Sequence, residues 1–162
     1  MKNLRCAAKI GTMMMGVKAF VDTNILLRVL LTEMNLHAEV NALFQQMLRD
    51  DAELWISGQI IREFIVQATH PKTLKTPLTI VEVIAEINQF KPLFSVADET
   101  APVREKLLEL LREYPTSGKQ VHDTNIVATM LAYEIDTLLT LNIGDFKRFS
   151  DRINLIFPEK TS

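Results

Sequence analysis

Apolar residues fall along this chain in two alternating patterns, short unbroken runs and longer stretches at helical interval, so strands and helices are expected to take turns. Val17–Val21 is short and β-prone, Asp22-Thr23-Asn24 interrupts it, and Ile25, Leu26, Val29 and Leu30 then recur at helical spacing, predicting strand, polar elbow, helix. Val40, Leu43, Phe44, Met47 and Leu48 predict a second helix that ends at Asp50-Asp51, and Leu54–Ile56 reads as a buried strand. Ser57 is placed to cap a helix whose stripe is Ile60, Ile61, Phe64, Ile65 and Ala68, which His70-Pro71 stops. Thr79 caps another, with Ile80, Val83, Ile84 and Ile87 expected inward.

Leu93–Val96 predicts a third strand, and Val103, Leu107, Leu108, Leu110 and Leu111 a helix that ends near Pro115. After the loop Thr116-Ser117-Gly118-Lys119, Asp123 is expected to open a helix with Ile126, Val127, Met130 and Leu131 on one face. Thr137–Leu141 predicts a fourth strand and Ile153–Phe157 a fifth. Such alternation implies an α/β fold, a three-layer α/β/α sandwich around a mostly parallel sheet of about five strands.

Composition narrows the picture. At 162 residues and 48% apolar, the chain can bury one full core and has no room for a second domain of ordinary size. The domain is expected over residues 17–158, with residues 1–16 a poorly ordered extension. A formal charge of −2 excludes a protein that holds nucleic acid through its overall field. The single cysteine, Cys6, excludes an internal disulfide framework and suits a reducing compartment. No apolar run reaches the roughly 18 residues of a membrane span, so a cytoplasmic protein is expected.

The candidate chemistry lies in acids far apart in sequence. Ligands of an open parallel sheet bind beyond the carboxyl ends of its strands. Asp22 is expected at that end of strand one, and Asn142 and Asp145 at that end of strand four. Glu63 borders the apolar stripe through Ile60 in the second turn of its helix, and the spacing of Asp123 from Ile126, Val127 and Met130 puts it on a buried face. Each acid alone has an ordinary explanation as a cap, a turn residue or a solvated side chain. Together they would form a pocket too negative to persist without a cation.

Four segments resemble the PIN domain, and more narrowly the VapC-type toxin ribonucleases of toxin–antitoxin pairs. They are Phe20-Val21-Asp22-Thr23-Asn24, Ile60-Ile61-Arg62-Glu63-Phe64, His122-Asp123 opening Thr124 to Ala132, and Thr140-Leu141-Asn142-Ile143-Gly144-Asp145-Phe146. The resemblance implies that Asp22, Glu63 and Asp123 bind Mg²⁺ or Mn²⁺, supported by Asn24 and Thr140. Many relatives carry Asp where this chain has Asn142, so Asp145 is taken as the fourth acid and Asn142 as its neutral neighbour. It further implies endonucleolytic cutting of RNA to a 3′-hydroxyl and a 5′-phosphate, a cognate antitoxin as partner, and a homodimer.

The physical account agrees with that analogy. Hard cations prefer oxygen ligands, and phosphodiester cleavage needs an activated water, neutralised phosphoryl oxygens and a supported leaving group, all within reach of one or two divalent ions. Glu63 or Asp123 is also placed to accept the water's proton. Arg28, Lys119, Lys147 and Arg148 stand near the motifs as candidate guides for an RNA backbone, or as plain surface charges. His37, His70 and His122 have no metal-ligand spacing, and Trp55 reads as core. The helices with Leu43, Phe44 and Met47 and with Ile80, Val83 and Ile84 are candidates for an antitoxin groove, a homodimer face or plain core.

Competing readings fit less well. A receiver-type signalling domain needs paired acids after strand one and a Lys after strand five, whereas Thr23-Asn24 follow Asp22 and Pro158 follows Phe157. A haloacid-dehalogenase-type phosphatase needs an acid where Asn24 stands. A catalytically silent PIN-like interaction module remains the alternative.

Overall fold

A computed structural model describes residues 16–158, so Cys6 and nearly all of the expected N-terminal extension lie outside the described residues. Five strands form one sheet: β1 (Lys18–Val21), β2 (Glu53–Ser57), β3 (Ser95–Ala97), β4 (Thr137–Leu139) and β5 (Asn154–Ile156). Their spatial order is β3-β2-β1-β4-β5 and every pairing is parallel. The chain steps outward from β1 to β3, then returns to the other side of β1 for β4 and β5. This reversal leaves a crevice beyond the carboxyl ends of β1 and β4, where ligands of such sheets bind.

Helices α1 (Thr23–Leu30) and α2 (His37–Arg49) connect β1 to β2, and α3 (Gly58–Ala68) and α4 (Ile80–Phe90) connect β2 to β3. Helices α5 (Ala101–Glu113) and α6 (Gln120–Ala132) lead to β4, and the single turn α7 (Ile143–Phe146) leads to β5. Helix α1 packs on α2 and α3, and α3 on α4, while α5 packs on α6 and α6 on α7. Right-handed crossovers in opposite directions put these two groups on opposite faces of the sheet, which gives the three layers expected.

The central strands are apolar because both faces are covered: Ala19, Phe20, Val21, Ile56, Leu138 and Leu139 are fully buried. Ser57 caps α3 through the Ile60 amide, and Thr79 and Glu82 form a reciprocal capping box on α4. Trp55 is half-buried rather than enclosed, its ring 5.4 Å from that of Tyr133.

Three expectations need adjustment. Helix α4 buries Val83 and Phe90, but Ile80 and Ile84 are 56% and 51% exposed, because α3 covers only one side of a wide apolar stripe. Strand β4 ends at Leu139, not Leu141, because the Leu141 amide is taken by the Asn24 side chain instead of by the sheet. Helix α6 begins at Gln120, so Asp123 lies inside its first turn instead of opening it. No helix among the described residues is long and apolar enough to cross a membrane.

Candidate functional site

The reversal point of the sheet holds Asp22. The residue directly follows β1, its backbone amide donates to the Leu139 carbonyl of β4 at 3.0 Å, and its side chain is 5% exposed. Oδ1 accepts from the Thr23 amide at 2.7 Å, as expected of a helix cap. Oδ2 accepts from the Asn24 amide at 2.6 Å and from the Thr140 hydroxyl at 2.6 Å. Asn24 and Thr140, both expected supports, therefore orient one carboxylate, and Asn24 Oδ1 also fixes the Leu141 amide at 3.0 Å.

Glu63, from α3 on the neighbouring strand's crossover, is tied to the same place. Its Oε2 accepts from the Thr23 hydroxyl at 2.7 Å, so consecutive groups of Thr23 bind Asp22 and Glu63. Its Oε1 accepts from Gln59 at 2.8 Å. Asp123 is half-buried in the first turn of α6, and among the described residues its carboxylate accepts no hydrogen bond. Asp145 is exposed in α7, one short turn beyond β4. Asn142 is exposed, and its amide donates to Thr140 Oγ1 at 3.0 Å, so its backbone supports the site.

Electrostatics ties the four acids together. Burial pushes the Asp22 carboxyl up to about 6, against the opposing pull of its hydrogen bonds to Thr140, Thr23 and Asn24, and the Glu63 charge pushes it further. The Asp123 carboxyl is also raised, first by burial and then by Asp145 and Glu63, with Arg148 and His122 pulling the other way. Burial and neighbouring acids make Asp22 and Asp123 unfavourable as anions until positive charge arrives. Four carboxylates are the donor set a hard divalent cation prefers. In kind the residues fit such an ion. Among the described residues no three His, Cys, Asp or Glu side chains form a ready ligating array.

Two of the expected backbone guides are occupied elsewhere. Arg28 donates to the Asn24 carbonyl at 2.8 Å and to Asn35, bracing the end of α1. Arg148 donates to the Pro115 carbonyl at 3.0 Å, the Gln120 carbonyl at 3.2 Å and Thr124 Oγ1 at 3.1 Å, and lies over the Phe149 ring. It straps the segment after α7 to the start of α6, and its Nε is buried without a partner among the described residues. Arg148→Ala is expected to destabilise the fold by about 2 kcal/mol, since bonds from a charged donor are lost together; chemical denaturation with an unchanged m-value checks this. Lys119 and Lys147 are exposed.

The sequence reading did not single out Gln59, Asn125 or the side chain of Thr23 as site residues. Gln59 is 5% exposed and also donates to the His122 carbonyl at 3.0 Å, while its Oε1 accepts from Asn125 at 2.8 Å. The available signal was position: Gln59 lies one helical turn before Glu63, and Asn125 two residues after Asp123.

The family model describing the PIN domain matches residues 19–151. No curated protein matches the chain by sequence. Among solved structures, VapBC2 from Rickettsia felis bound to a promoter DNA fragment is similar at TM-score 0.63 and 19% identity, over 88% of this chain and 100% of that one. DNA-bound VapBC from Salmonella typhimurium gives TM-score 0.62 at 18% identity, over 87% and 98%. VapC20 of Mycobacterium tuberculosis, described as a sarcin–ricin loop cleaving toxin, gives TM-score 0.58 at 16% identity, over 75% and 87%. At these identities the likeness establishes the fold.

Proposed function

The chain belongs to the PIN domain family, and on that ground we propose that it is a metal-dependent endoribonuclease, the toxin of a toxin–antitoxin pair, acting in the cytoplasm. The supporting observation is Asp22: a buried carboxylate at the sheet's reversal point, pushed up to about 6, with Glu63 repelling it. Asp22, Glu63, Asp123 and Asp145 would hold Mg²⁺ or Mn²⁺. When bound, such an ion supplies Lewis acidity toward the phosphoryl oxygens and lowers the pKa of a water.

The chain's own groups do the remaining work. Thr140, Asn24 and the Thr23 amide fix the Asp22 carboxylate. The Thr23 hydroxyl and Gln59 fix Glu63. Glu63 or Asp123 takes the proton of the attacking water; the Asp123 carboxylate accepts no hydrogen bond among the described residues and is already raised in pKa. Cleavage then leaves a 3′-hydroxyl and a 5′-phosphate.

The solved neighbours include toxin–antitoxin complexes, and by analogy a small antitoxin is the proposed partner of this chain, alongside a second copy of itself. The uncovered face of α4, with Ile80, Val81 and Ile84, is the candidate contact for one of them. The absence of a ready ligating array among the described residues favours one competing reading, a catalytically silent module. Incubating the purified protein with RNA in Mn²⁺ and in chelator separates the two: internal cuts with 5′-phosphate ends in Mn²⁺ only are expected. Intact RNA under both conditions would leave the silent module.

A further inference from the structure

We propose that Gln59 is a positioning residue that sets the spacing between the Glu63 carboxylate and the backbone carrying Asp123. The inference rests on the nuclease reading of the site. One carboxamide makes three hydrogen bonds to three different places. Nε2 donates to Glu63 Oε1 at 2.8 Å and to the carbonyl of His122, the residue before Asp123, at 3.0 Å. Oε1 accepts from Asn125 at 2.8 Å, two residues after Asp123. A single side chain on α3 thereby grips α6 on both sides of Asp123 and one oxygen of Glu63 at once.

The chemistry of the amide matters as much as its reach. Lys or Arg at this position would also bind Glu63, but its charge would neutralise the carboxylate and compete with a cation for it. A neutral amide orients the anion and leaves its charge in place. The grip is held in turn from outside, since Asn125 also donates to Glu99 at 3.2 Å and Glu99 pairs with Arg62 at 3.4 Å. Gln59 is 5% exposed, so its three bonds are sheltered from competing water and their loss is felt. Partners of this kind, once removed, typically lower metal affinity about 10- to 100-fold.

The test compares wild type, Gln59→Leu, Asp22→Asn and Val83→Ala, the last a buried α4 residue whose truncation loosens the fold away from the crevice. Mn²⁺ affinity is measured by calorimetry, and amide hydrogen exchange over residues 121–126 is measured in chelator. Gln59→Leu is expected to weaken Mn²⁺ binding at least about tenfold and to speed exchange over 121–126, with Val83→Ala unchanged in both. Gln59→Met repeats the measurement if the Leu variant does not fold. Wild-type Mn²⁺ affinity in a folded Gln59 variant overturns the proposal and leaves the nuclease reading standing. If wild type and Asp22→Asn alike bind no Mn²⁺, the nuclease reading fails. The Gln59 proposal then falls with it, whatever the exchange rates.

Discussion

Purified Asp22→Asn protein is expected to cleave RNA on the order of 10³-fold more slowly than wild type, a barrier increase of about 4 kcal/mol. The substitution keeps the size and shape of the side chain. It removes the most buried anion of the site and turns one carboxylate oxygen into an NH₂ group. Oδ2 now accepts from both Asn24 and Thr140; an amide nitrogen there would face the Asn24 amide donor to donor. Asp123→Asn is expected to lose activity to a similar degree, through the carboxylate that Glu63 and Asp145 already repel. In cells, expression of wild type alone is expected to arrest growth, and either variant to relieve the arrest. Persistent toxicity of both would contradict a metal-nuclease mechanism.

The second large effect concerns pH. The Asp22 carboxyl is raised from 3.8 to about 6 in the folded protein, so the folded state binds this proton more tightly than the unfolded state does. The stabilisation from protonated Asp22 is therefore fully present below about pH 4 and is lost as pH rises through about 6. A shift of this size corresponds to about 3 kcal/mol. In chelator, wild-type stability relative to Asp22→Asn is expected to fall by about that amount between pH 4 and pH 7, read by urea denaturation at each pH. Parallel pH profiles for the two proteins would show that burial does not burden this carboxylate.

What the sequence revealed and what it hid follow from different physics. Asp22 was legible because a polar elbow breaks an apolar strand just where it meets a helix, and only one end of a parallel sheet receives such elbows. Asp123 was legible because helical spacing aimed an acid at the core. Thr140 and Asn24 followed from the family resemblance, and the structure places both on Asp22.

Gln59 and Asn125 were not legible as site residues, because a neutral amide on a helix has the same local pattern whether it faces solvent or grips a carboxylate. Arg148 looked like a surface charge, since no local spacing reveals that the carbonyls of Pro115 and Gln120 wait for it across the fold. Ile80 and Ile84 were expected inward, because periodicity marks an apolar face without saying whether anything within the same chain covers it. The end of β4 depended on a long-range bond from Asn24 that competes with the sheet.

The most direct measurement is Mn²⁺ soaked into crystals of the protein and located by its anomalous scattering. A peak is expected at the carboxyl end of β1, with Asp22 and Asp123 oxygens as ligands and Glu63 or Asp145 close by. A saturated crystal with no peak there, or with Mn²⁺ bound only elsewhere, would contradict that expectation.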